Sequence, residues 1–396
     1  MTTEDLPLGF RFSGVACGIK PSGKPDLSLI VCDDPVSAAG VFTQNQIVAA
    51  PVLWCRDRTP SSSIRAVVTN SGNANACTGD QGTRDTEAMC DQTATAMGCK
   101  ADHVLVMSTG IIGHHLPMDR VTSGIENAAG KLGRELQDFH DSADAILTTD
   151  IQRKAVVETR SFADKPVRVA AMAKGAGMIA PNMATMLACV TTDATLSPSE
   201  CKAMLTRIAD RSFNRVSVDG HVSTNDTLLM LASGKSQVEF SKSEAAEFEQ
   251  WLTQICLKLA IELVADGEGA KYVMHVKVDG AASDEAAEQI ARAIGASPLV
   301  KTAMTGSDPN WGRIVSAAGY AGATVVPEQT SLRLAGVEIY RGGVPTDFDA
   351  KQVSQAMQES QIIPIELTVG QGSGKSEHWA SDLGVDYVRF NSEYTT

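Results

Sequence analysis

No apolar run in these 396 residues approaches the roughly 20 needed to span a bilayer, and the opening Met1-Thr2-Thr3-Glu4-Asp5 lacks the basic and apolar regions of a signal peptide. A cytoplasmic protein is expected. Positive charge is also short: 34 Lys and Arg against 47 Asp and Glu leave a formal charge of −13, which works against non-specific binding to nucleic acid or an anionic membrane. A small-molecule partner fits better. The nine cysteines are irregularly spaced with no Cys-x-x-Cys pair, so they suggest neither a zinc site nor a disulfide framework and read as buried free thiols. The seven histidines show no His-x-x-x-His or His-Glu-x-x-His spacing, and the adjacent His114 and His115 read as turn residues, so no metal is implied. There is no fixed-period repeat and no low-complexity linker.

What is present is an ordinary globular composition, 43% hydrophobic and 20% charged, with length enough for a large core or two lobes. Short apolar runs at Leu27–Val31, Ala66–Thr69 and His103–Met107 end in polar or glycine turns, as buried strands do. Between them the pattern predicts helices from about Arg84 to Met97 and from Pro117 to near Gly133. Ser197-Pro198-Ser199-Glu200 is a capping-box start for a helix to about Ala209. Trp251, Leu252, Ile255, Leu259 and Leu263 recur at helical spacing, so Ser243–Val264 is a long amphipathic helix with one face on the core. Beyond it strands are predicted at Tyr272–Val278, Ser331–Ile339 and Ile365–Val369, with helices at about Asp284–Ile294 and from about Phe348. The mixture predicts an α/β or α+β chain of layered sheets and helices.

Five segments could carry chemistry. Lys174-Gly175-Ala176-Gly177-Met178-Ile179-Ala180-Pro181-Asn182-Met183-Ala184-Thr185-Met186-Leu187 sets one Thr where a glycine-rich loop meets an apolar strand. Thr185 either simply begins a buried strand or is a nucleophile. Cutting the chain before it would supply an α-amine of pKa about 7.7 to 8.0 as its base. Asn70–Gly79 is a turn of residues that tolerate left-handed backbone, or a loop that lets a ligand come close. Met107–Gly113 has the form of a strand running into a glycine turn, a place where backbone N–H groups can form an oxyanion hole. Asp266-Gly267-Glu268-Gly269-Ala270-Lys271 is either a solvated helix C-cap or a loop that pins Glu268 for a substrate ammonium. Gly370–Ser376 looks like a phosphate loop, but the pattern needs glycine where Val369 stands, so a flexible glycine turn is expected.

In order along the chain, Gly14–Gly18, Ala39–Thr43, Asn70–Gly79, Ser108–Gly113, Lys174–Leu187, Ser212-Phe213-Asn214, Ser223–Thr227, Asp266–Ala270, Asp308-Pro309-Asn310-Trp311-Gly312-Arg313 and Tyr387–Thr396 together resemble the ornithine acetyltransferase, or glutamate N-acetyltransferase, family of arginine biosynthesis. The resemblance implies self-cleavage between Ala184 and Thr185 into an α chain 1–184 and a β chain 185–396, which normally assemble as an (αβ)₂ heterotetramer. It implies Thr185 as nucleophile, Thr109 and Gly110 as oxyanion donors, and substrate contacts at Thr148, Lys174, Thr185, Glu268, Asn391 and Thr396. The implied reaction moves the acetyl group of N2-acetylornithine to glutamate through an acetyl-Thr intermediate, with no cofactor. Members divide between those that use only acetylornithine and those that also take acetyl-CoA. The implied fold is a layered αββα sandwich of the ornithine acetyltransferase and DmpA-like type, with a cleft between two lobes. Aminopeptidases of the same architecture, which give the acyl group to water, are the competing class.

Three departures from that family pattern stand out. Lys271 follows Ala270 directly, shortening the loop by one residue; His221-Val222 replaces an acidic and a small residue; and Ser376–Ser381 replaces a more apolar stretch around Trp379.

Overall fold

The computed structural model describes residues 5–180 and 186–393. Ala184, Thr185 and Thr396 therefore lie outside the described residues.

Strands β1 (Phe10–Val15), β2 (Leu27–Phe42), β3 (Ser61–Asn73), β4 (Val104–Ile111), β5 (Lys154–Phe162), β6 (Lys165–Lys174) and β7 (Leu187–Thr192) lie in a first sheet. The short β8 (Val216–Ser217) belongs to a second, and β9 (Thr227–Ala232) completes the first. The first sheet runs β4-β3-β2-β9-β7-β6-β5, with β1 on β2. The second runs β13-β12-β11-β14-β10-β15-β8, where β10 is Val273–Ala281, β11 Ser331–Leu334, β12 Val337–Arg341, β13 Val344–Pro345, β14 Ile362–Thr368 and β15 Gly374–Ser381. Two sheets with helices layered on them are the mixed α/β class that the pattern predicts.

The predicted strand Leu27–Val31 continues as β2 through Asp33-Asp34-Pro35. Proline cannot donate to a ladder, so the pairing shifts register between Val31 and Ala38 rather than stopping. The first half of β2 pairs with β1 and β3, the second half with β9. In β7 and β9 the alternation of side chains splits each strand between two cores. Ala188, Val190, Leu228 and Met230 join one, while Leu187, Cys189, Leu229 and Leu231 join the other. A strand buried on both faces carries an unbroken apolar run for this reason.

Helices α1 (Ala50–Arg58), α2 (Gly79–Met97), α3 (Met118–Ala129) and α4 (Leu136–Ala145) precede β5, and α5 (Pro198–Arg211) and α6 (Lys242–Ala265) follow β7. Met89, Val121, Ile125 and Phe139 of α2, α3 and α4 fill the core on one face of the first sheet. Leu205, Ile208, Trp251 and Leu259 of α5 and α6 fill the other. The predicted stripe of α6 is buried, and the same core takes in Val273 and Trp379 of the second sheet. Helices α7 (Asp284–Ala296), α8 (Pro298–Thr305) and α9 (Trp311–Gly319) cover one face of that sheet through Ile290, Ile294, Val300 and Ile314. The remaining helices are α10 (Ala350–Glu359) and α11 (Val385–Glu393).

Several expectations need correcting. The helix predicted from Pro117 to near Gly133 ends at Ala129, and a second one, α4, follows. The span Ser331–Ile339 is a hairpin of β11 and β12 rather than one strand. The cysteines are free, as expected, but Cys77 is exposed. Strands β7 and β9, which follow position 185, sit inside the first sheet between β2 and β6.

Candidate active site

Strand β4 does not stop before its glycine. Gly110 lies within it, opposite Gly72, at a point where the β3–β4 ladder is irregular. Its φ of +135° and the Gly72 and Asn73 backbone atoms 2.3 and 2.4 Å from where a Cβ would stand both require glycine. Thr109 and Gly110, at the irregular end of this ladder, line a pocket of about 100 Å³ open to solvent. Thr148, Lys174, Glu268 and Asn391 line the same pocket, together with Thr149, Gly177, Met178 and Ser223–Asn225. Six of the residues named from sequence therefore meet around one space, although they come from β4, the segment after α4, β6, the loop after α6, and α11. Thr185 and Thr396, the other two, lie outside the described residues.

Lys174 ends β6 with its side chain buried, donating to the Thr148 hydroxyl at 3.2 Å. Burial pulls its ammonium pKa down, and the Asp150 charge offsets only part of that. Glu268 accepts from the Thr149 hydroxyl at 2.8 Å and from Asn391 Nδ2 at 3.1 Å. The Glu268 N–H donates to Ala176 O, and a Cβ on Gly177 would stand 2.4 Å from the Glu268 carboxylate. Glycine at 177 is what lets the two loops touch. Asp266 does cap the C-terminus of α6, but its carboxylate is buried and paired with Lys154 rather than solvated.

Sequence reasoning missed the groups that hold this geometry. Lys154 Nζ lies 2.7 Å from Asp150 and also binds Asp266, and all three side chains are buried. Asp150 in turn accepts from the N–H groups of Thr148 (2.9 Å) and Gly175 (2.7 Å), so it aligns Thr148 with Lys174. Burial alone would raise the Asp150 pKa, but Lys154 and Lys174 outweigh it and hold the carboxyl below the usual range. Asn225 Nδ2 donates to Ala74 O at 2.6 Å and Ser108 O at 2.9 Å, tying the pocket wall to the two loops beside it. Asp226, fully buried, accepts from Met186 N–H at 3.0 Å, and its Oδ2 has no partner among the described residues. Burial pushes its pKa well above the ordinary carboxylate value. Ser223–Thr227 was visible as a matched segment without any sign of what it does.

The other segments turn out to be structural. In Asn70–Gly79 the amides of Asn70, Asn73 and Asn75 are spent on the backbone of Asn73, His114, His115 and Gly82, and only Ala74 reaches the pocket. The Gly370–Ser376 stretch is a packed turn leading into β15, not a flexible one. Gly372 N–H donates to Gly280 O and Lys375 N–H to the Asp284 carboxylate, so two of its backbone donors are taken, one of them by a negative group. Ser376–Ser381 forms β15 and lines no part of the pocket, so that departure leaves the site untouched. Among the described residues no group of three or more His, Cys, Asp or Glu could hold a metal ion, and no helix is long and apolar enough to cross a membrane.

Comparison with known proteins places the chain in a family. The chain is 56% identical over 399 residues to the arginine biosynthesis bifunctional protein ArgJ of Rhodopirellula baltica, covering 100% of this chain and 97% of that one. It is 46% identical over 389 residues to the protein of the same description from Nitratidesulfovibrio vulgaris, covering 98% of each. A crystal structure of the arginine biosynthesis bifunctional protein argJ from Bacillus halodurans matches at a TM-score of 0.51 and 36% identity, covering 52% of this chain and 98% of that chain. The ArgJ family model matches residues 11–396, and with relatives this similar over their full length, this chain belongs to the ArgJ family.

Proposed function

We propose that the protein is an acetyltransferase of arginine biosynthesis that moves the acetyl group of N2-acetyl-L-ornithine to L-glutamate and also accepts acetyl-CoA as donor, without a cofactor. The observation that carries this is Lys174 and Glu268 in one pocket with Thr109 and Gly110. A buried ammonium suits the α-carboxylate of an amino acid. Glu268 suits the side-chain ammonium of ornithine.

Maturation comes first. The Thr185 hydroxyl attacks the Ala184 carbonyl carbon, the peptide C–N bond breaks to leave an ester and a free α-amine, and water hydrolyses the ester to give chains 1–184 and 185–396. In turnover the amine takes the Thr185 hydroxyl proton as the oxygen attacks the acetyl carbonyl. Thr109 and Gly110 donate to the resulting oxyanion, and ornithine leaves with the proton. The glutamate amine then attacks the acetyl ester, and Thr185 recovers its proton. The assembly proposed is an (αβ)₂ heterotetramer in the cytoplasm. Paired charges in the pocket favour an amino-acid acceptor over water, which sets this function against that of a hydrolase.

The test is N-acetylglutamate formation, assayed with acetylornithine and acetyl-CoA separately, alongside denaturing mass spectrometry. Two chains meeting at Ala184 and Thr185 are expected, with one inactive intact chain for Thr185→Ala. An intact wild-type chain that still transfers acetyl groups would overturn the role of the free amine. Rapid loss of acetyl groups to water under saturating glutamate would overturn transfer.

A further inference from the structure

The loop between β8 and β9 grips the chain on both sides of residues 181–185. Upstream, the Asp219 carboxylate accepts from Met178 N–H at 2.7 Å and Ile179 N–H at 2.9 Å, with His221 N–H at 3.1 Å and the Tyr387 hydroxyl at 3.2 Å as further donors. The grip is returned: Ile179 O accepts from the N–H groups of Val218, Asp219 and Gly220. Downstream, Asp226 accepts from Met186 N–H at 3.0 Å, and Thr227 N–H donates to Met186 O. Met178 is held at φ +57°, a conformation that a non-glycine residue keeps only when its surroundings impose it. The loop itself is anchored beneath, because the buried Lys301 donates to Val218 O at 2.8 Å and to Ser381 O.

We propose that residues 217–226 are a template that sets the geometry of the bond to be cut, with Asp219 as the positioning residue for its upstream flank. After the cut, the same carboxylate still holds Met178 and Ile179 of the first chain. This rests on the self-cleavage proposed above. Four donors converge on Asp219, two on each oxygen, so an amide there must turn an NH₂ group toward N–H or O–H donors and lose at least one pair.

The experiment follows self-cleavage of freshly synthesised chains by mass spectrometry, with melting temperatures measured in the Thr185→Ala background. Asp219→Asn is expected to slow cleavage by at least about 10-fold. Asp219→Glu, which keeps every acceptor one methylene further out, is expected between Asp219→Asn and wild type. Cleavage of Asp219→Asn within twofold of the wild-type rate would overturn the proposal. Should Asp219→Asn not fold, Asp219→Glu decides alone: slowed cleavage supports the template and the wild-type rate overturns it. A wild-type chain that is never cut removes the self-cleavage on which this rests, and so is distinguished from failure of the template.

Discussion

Asp226 is a fully buried carboxyl group, and burial outweighs the Met186, Thr43 and Ser223 hydrogen bonds and the Lys174 charge that favour its ionised form. Its folded pKa stands well above the unfolded value of 3.8, so above that pH the folded chain holds a proton that the unfolded chain releases. Its contribution to stability therefore falls as pH rises from about 4. Asp226→Asn keeps the acceptor for Met186 N–H and carries no titrating proton. Its melting temperature relative to wild type is expected to climb between pH 4 and pH 7, as read by calorimetry, and a difference that stays flat would show that Asp226 is ionised in the fold. Residues such as Lys174 and Glu268 could be named from sequence because they stand in short ordered segments with a recognisable neighbour. Asp219 could not. An Asp-Gly turn ordinarily reads as solvated, and two of the N–H groups this one accepts lie about 40 residues earlier in the chain. Distant pairing of that kind leaves no local spacing to detect.

At the scale of elements, the pocket floor depends on one cation shared by two loops. Lys154, at the start of β5, holds Asp150 from the turn before it and Asp266 from the end of α6, 112 residues away. Replacing Lys154 by Met strands two buried carboxylates, a loss worth about 3–5 kcal/mol. Urea denaturation of the Thr185→Ala chain with and without Lys154→Met measures it, and a change below about 1 kcal/mol would mean that the carboxylates find water instead. Element boundaries were legible where capping followed the common rule. Ser197 with Glu200 and Ser241 with Glu244 close capping boxes at α5 and α6. Helix α4 escaped notice because its N-cap is Glu135, paired with Asp138, instead of one of the small polar residues that mark a start. The length of β2 escaped because its bend at Pro35 looks like an ending.

For the whole molecule, the place of β7 and β9 inside the first sheet matters most. The second half of β2 pairs with β9 at six positions and β6 with β7 at six more, and each of these ladders joins a strand before residue 185 to one after it. Cutting between Ala184 and Thr185 leaves both ladders and the cores on either face intact, so the pieces are held as firmly as a sheet holds its own strands. Return from the unfolded state is another matter. An uncut chain refolds by itself, whereas two released pieces must first meet. Recovery from urea is expected to rise with protein concentration for the cut protein and to be independent of it for Thr185→Ala; equal, concentration-independent recovery for both would contradict this. A molecule built this way has its working lifetime set by how slowly it unfolds, because each unfolding is close to final. The proposed maturation trades a renewable fold for a single-use one.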